Sequence, residues 1–77
     1  MGSFLGMFRK HNIQVHVSKV RGCPDLKSVM VSKGTNKASA VLHADGNINA
    51  RNMHDEEIYD GYDQQTAAQK IIEWLVK

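Results

Sequence analysis

The run from Asp63 to Val76 places apolar residues at helical spacing, and this periodicity dictates the last element of the chain. Ala67, Ile71 and Leu75 recur every four residues, and Ala68, Ile72 and Trp74 widen the stripe. Gln64, Gln65, Gln69, Lys70, Glu73 and Lys77 fall mostly on the other side. Asp63 suits the N-cap, where its charge meets the positive end of the helix dipole. Tyr62, directly before it, is expected to pack on Ala67 as a hydrophobic staple. Such a helix must bury its stripe against another layer.

The preceding residues supply that layer as strands. From Asn12 to Val20, Ile13, Val15 and Val17 alternate with Gln14, His16 and Ser18, the period of a half-buried strand. Arg21-Gly22-Cys23-Pro24-Asp25 interrupts it, since proline pushes Cys23 toward an extended conformation. Leu26 to Ser32 reads as a second strand, with Val29 and Val31 on one side and Met30 on the other. Lys33-Gly34-Thr35-Asn36 reads as a turn, with glycine at a positive φ.

Ala38 to Asn52 reads as a hairpin around Asp45-Gly46. A two-residue loop pairs Leu42 with Asn49 and mixes apolar with polar side chains. A three-residue loop, Asp45-Gly46-Asn47, pairs Leu42 with Ala50 and Ala44 with Ile48. It gathers Ala40, Leu42, Ala44, Ile48 and Ala50 on one face, so it is the register expected, with Asn47 left-handed. Residues 53–57 read as a polar loop, and Ile58-Tyr59-Asp60-Gly61-Tyr62 as a short edge strand.

These elements predict an α+β fold. Its antiparallel sheet has about four strands and a short fifth, with the C-terminal amphipathic helix packed on one face. Residues 1–77 read as one domain, and residues 1–11 as a flexible or docking arm. In that arm Ser3 is placed to cap a short helical turn presenting Phe4, Leu5, Met7 and Phe8. Gly2 and Gly6 weaken it, each costing about 1 kcal/mol against alanine. The arm packs on the sheet, pairs with a partner or frays.

Charge is unevenly spread along the 77 residues. Residues 1–51 carry eight Lys/Arg against two Asp/Glu, and residues 52–77 carry two against six. The halves attract each other in the fold, or the basic half offers a face to an anionic partner. The single cysteine, Cys23, excludes an internal disulfide, fits a reducing setting and reads as a small buried or half-buried turn residue. No stretch approaches the roughly 20 apolar residues of a membrane span. The opening Met1-Gly2-Ser3-Phe4-Leu5-Gly6 lacks the Ser or Thr at position six of a myristoylation signal, and it lacks the n-region and length of a signal peptide.

No catalytic constellation is visible. His11, His16, His43 and His54 show no short-spaced pair of the kind that marks zinc sites, although His16 and His43 are both expected on the outer sheet face. Asp55, Glu56, Glu57, Asp60 and Asp63 do not follow a calcium-loop pattern and read as a solvated loop before a helix. The short Gly and Lys segments lack the frame of a phosphate loop. The expectation is therefore no enzyme, no cofactor, no metal and no small-molecule substrate.

Two functional readings remain. In the first, a small cytoplasmic protein-interaction or regulatory module binds a partner protein or forms a homodimer, with Phe4, Leu5, Met7 and Phe8 as contacts. Small accessory proteins, phage-encoded ones included, share this description. In the second, the chain binds nucleic acid through Arg9, Lys10, Lys19, Arg21 and Arg51 on a basic sheet face and arm.

Overall fold

The computed structural model describes residues 2–77, except that the side chains of Gly2, Ser3 and Pro24, and with them the Ser3 cap, lie outside that description. Two helices and five strands follow one another as α1 (Gly2–Lys10), β1 (Gln14–Val20), β2 (Cys23–Lys33), β3 (Asn36–Leu42), β4 (Ile48–Asn52), β5 (Glu57–Gly61) and α2 (Gln64–Leu75). The strands form an antiparallel meander in sequence order, β1-β2-β3-β4-β5. The α+β class and the C-terminal helix are as the sequence patterns require. The short edge strand is a full member of the sheet.

Strand alternation gives the sheet two unlike faces. Val29 and Val31, Ala38, Ala40 and Leu42, and Ile48 and Ala50 are buried under the helices. The opposite face carries the cross-strand row His16, Met30, Ser39, Arg51 and Glu57. Small alanines at Ala40, Ala50, Ala67 and Ala68 let sheet and α2 approach closely, and Ile71, Ile72 and Leu75 fill the remaining space.

The N-terminal arm is part of this core. Phe4 and Phe8 are 1% and 0% exposed, and their rings meet edge to face with centroids 5.1 Å apart. Burial of each is worth about 1.5–3 kcal/mol. Leu5 and Met7 pack beside them half-buried. The expected choice between docking, pairing and fraying is thus decided inside the chain, because two phenylalanines one helical turn apart need an apolar surface that β1 and α2 provide. Residues 2–10 are helical, a longer element than the single turn expected.

A Schellman motif ends α1. The N–H of Ile13 donates to the Phe8 carbonyl at 3.0 Å and that of Asn12 to the Arg9 carbonyl at 3.1 Å. Asn12 takes the left-handed position at φ 59°, and the buried pair Phe8 and Ile13 supplies the apolar contact of the motif. Lys33 Nζ donates to the His11 carbonyl at 2.8 Å and covers one of the helix-end acceptors.

The hairpin between β3 and β4 departs from its expected register. Leu42 opposes Ile48 and Ala40 opposes Ala50. The loop is Ala44-Asp45-Gly46, closed by the His43 N–H on the Asn47 carbonyl at 2.9 Å. The left-handed residue is Gly46 at φ 96°, with the Gly46 N–H on the His43 carbonyl at 3.0 Å. This is a tight turn followed by a glycine bulge, which glycine enters at less cost than asparagine. The two-residue difference from the expected register preserves the faces, because strand side chains repeat every two residues. Ala44 alone is lost from the apolar row, to the exposed loop.

Asp63 caps α2 by accepting from Gln65 N–H at 3.1 Å and Thr66 Oγ1 at 2.6 Å. The staple expected of Tyr62 is absent, for Tyr62 is 67% exposed. Tyr59 fastens the junction instead, its hydroxyl accepting from the Asp63 N–H at 3.0 Å. Its ring lies over Gly61, where a Cβ would sit 2.5 Å from the Tyr59 hydroxyl. At the other end Asn36 Nδ2 donates to the Leu75 carbonyl at 3.0 Å, so the first residue of β3 caps the helix C-terminus.

Candidate functional site: the free edge of β1

A five-stranded open sheet has two edges, and each exposes backbone donors and acceptors unless something covers or blunts it. The edge at β5 is blunted. The strand is five residues long and carries acidic Glu57 and Asp60. A bulge falls where Arg51 opposes Glu57 and Ala50 opposes Tyr59, leaving Ile58 as the extra residue. The bulge lets Ile58 and Tyr59, adjacent in sequence, both pack against the core. Asn47 Nδ2 donates to Asp60 Oδ1 at 3.1 Å and Asn49 Nδ2 to Glu57 Oε1 at 3.0 Å, tying β5 to its neighbours.

The edge at β1 carries none of these devices over Gln14–Lys19. The strand is seven residues long and pairs residue for residue with β2 from Gln14 to Lys19, with an irregularity only at its end between Lys19 and Val20. It holds no proline, no glycine and no acid. Among the described residues no helix, loop or side chain donates a hydrogen bond to its backbone from outside the sheet. Val15 is half-buried, and Val17, on the helix-covered face, is still 40% exposed beside the buried Val29. The cover of α1 therefore runs out along β1. Met30, 53% exposed on the other face, opposes His16.

The candidate basic residues are spread by this geometry. Arg9 and Lys10 end α1 and are exposed just ahead of β1. Lys19 and Arg21 lie at the far end of the same strand and its turn. Arg51 stands away from both, in β4 on the open face, and pairs with Asp55 at 3.4 Å. The five do not form one face. Four of them bracket β1. Lys19 directly opposes Lys27, a like-charge cross-strand pair of the kind that costs stability, and neither makes an ion pair among the described residues.

Of the four apolar candidates, Phe4 and Phe8 are consumed by the chain's own core, so they are not free contacts in this fold. Leu5 and Met7 stay half-buried. The open sheet face carries no aromatic side chain among the residues paired in the strands. Cys23 begins β2 and is exposed, contrary to the burial expected of it, because the strand starts there instead of a packed turn.

His16 is exposed on the open face, whereas His43 sits in the loop after β3 and does not join it there. His54 meets Trp74 edge to face, with centroids 6.3 Å apart. Among the described residues no three His, Cys, Asp or Glu side chains are gathered for a metal ion. The acidic loop is organised by buried Asn52, whose side-chain oxygen accepts from His54 N–H at 2.9 Å and Glu56 N–H at 3.0 Å. Among the described residues the one clear protonation effect is at Asp63, where the Thr66 hydroxyl holds the carboxyl below its ordinary range, opposed by desolvation and helped by the Gln65 and Thr66 amides. Among the described residues no helix is long and apolar enough to cross a membrane.

The residues that sequence reasoning missed are Val17, as an exposed edge residue, and Tyr59, as the latch on α2. An alternating strand followed by a meander was the available signal for Val17, but alternation does not say which strand ends the sheet. No family model, curated protein or solved structure matches the chain.

Proposed function

We propose that this chain is a small intracellular protein-binding module without catalytic activity, and that it works by strand addition along β1. The observation that carries this reading is the regularly paired, uncovered outer edge of Gln14–Lys19, beside an opposite edge that is blunted. An extended segment, from another protein or a second copy, gains main-chain hydrogen bonds there and covers Val17. The marginal size of the domain fits a component that completes its packing on a partner.

The test is amide hydrogen exchange on the full chain, alone over a concentration series and with proteins retained on it from nuclease-treated host lysate. Protection gained at Gln14–Val20 is expected. A chain that sediments as a monomer, retains nothing and shows unchanged β1 exchange defeats the proposal. The nucleic-acid reading draws on the cations that bracket β1 and predicts retention that nuclease abolishes and salt weakens steeply. It is the weaker of the two, because the open sheet face offers no aromatic platform for base stacking.

A further inference from the structure

We infer that the segment added to β1 is an extended peptide with acidic residues at both ends. This rests on the edge reading above and adds the chemistry of the partner. The charges are placed for it. Arg9 and Lys10 stand exposed before the strand, and Lys19, Arg21 and Lys27 stand exposed at its far end. A seven-residue strand spans roughly 23 Å at 3.3 Å per residue, so the two groups flank a single added strand of similar length. The only acid in β1, β2 or the turn between them is Asp25.

The middle of the edge differs from its ends. Val15, Val17 and Ser18 are uncharged, and Val17 is left partly bare on the helix side. An added strand with small apolar residues on that side extends the buried row that runs through Val29. Its terminal carboxylates meet Arg9 and Lys10 at one end and relieve the opposed Lys19 and Lys27 at the other. Because both ends of the edge are basic, the match holds for a parallel or an antiparallel peptide. A second copy of this chain fits less well, since β1 against β1 brings the two basic sides together. A nucleic acid satisfies the charges but not the row of backbone donors and acceptors between them.

The experiment uses the full chain and two fluorescein-labelled peptides, each a core of alternating valine and threonine. One carries two aspartates at each end and the other two lysines. Anisotropy at low salt is expected to give the acidic peptide an advantage of about tenfold or more, as several exposed ion pairs each add a few-fold at most. The advantage shrinks with added salt. In Lys19→Glu/Arg21→Glu, with an unchanged melting temperature, the acidic peptide loses its advantage. If that pair fails to fold, Arg9→Gln/Lys10→Gln reads the other end. Amide exchange on the same samples locates the peptide. Equal binding of both peptides with β1 protected overturns the charge inference and leaves the edge reading standing. Binding of neither, with β1 exchange unchanged, overturns the inference and also counts against the edge itself. A concentration-dependent dimer that protects β1 assigns the edge to a second copy, and tighter binding of a single-stranded oligonucleotide assigns the cations to phosphate; either result overturns the inference.

Discussion

β1 and β5 close the same sheet with opposite surroundings. β5 is short, acidic and bulged, and it is held by Asn47, Asn49 and the Tyr59 hydroxyl on the Asp63 N–H at the cap of the helix that follows. β1 is longer and pairs regularly from Gln14 to Lys19, with an irregularity only at Lys19/Val20, and only part of it lies beneath α1. A chain that devotes so many side chains to one edge and leaves the other bare is not avoiding strand addition in general. The difference teaches that edge protection is local, set by the bulge and side-chain ties of one strand and absent from another in the same 77 residues.

The comparison breaks most completely if the brace of β1 is removed. Phe8→Ala empties a wholly buried ring position and is expected to cost about 3–5 kcal/mol. That approaches the whole stability of a small domain. Denaturant unfolding should show the loss, and amide exchange should show β1 opening before β5. Equal loss of protection at both edges would mean that α1 braces the entire sheet and not β1 in particular.

On the β5 side the corresponding change is Gly61→Ala. The new methyl meets the Tyr59 ring and hydroxyl, so the ring must swing away and release the Asp63 N–H. A loss of about 1–3 kcal/mol is expected, the usual cost of overfilling a packed site. Chemical denaturation measures it, and adding Tyr59→Phe should bring little further loss, since the hydroxyl bond is already broken. A fully additive second loss would show that the latch survives the methyl.

The smallest effect expected is a pH dependence at Asp63. Its folded carboxyl ionises more readily than the unfolded one, so its contribution to stability is present above the unfolded pKa and disappears as pH falls through the folded pKa. The melting temperature of Asp63→Ala should lie below that of the wild type at neutral pH, and the gap should narrow as pH drops through and below the carboxylate range. A gap that stays constant with pH would assign the cap to geometry without charge.

Much of this fold was legible in the sequence, and the failures share a cause. The α2 stripe, its Asp63 cap and the alternation of Val15, Val17, Val29 and Val31 are local patterns, and local periodicity reports which face of an element is buried. The hairpin register was set by which residue takes the left-handed position, and counting apolar pairs favoured Asn47 where the backbone uses Gly46. The role of the arm depended on whether Phe4 and Phe8 find a surface in this chain or in another, which only the assembled sheet decides. The candidate site was the least legible part. Arg9, Lys10, Lys19 and Arg21 were visible as a basic set, but nothing local says that one strand separates them or that this strand ends the sheet. Arg51 was grouped with them by charge alone and belongs elsewhere, beside Asp55.

The contacts between the first and last helices, and the bond from Asn36 to the Leu75 carbonyl, bear on when the chain becomes a folded object. Every strand pairs with its neighbour in sequence, so the sheet can zip up hairpin by hairpin with short loop closures. Its apolar face, however, is roofed over β3, β4 and β5 by residues 64–75, which a ribosome makes after every strand. Until that roof is delivered, the nascent sheet presents Ala40, Leu42, Ile48 and Ala50 to water. The meander can form early, but the domain is committed only when its latest-made helix lands.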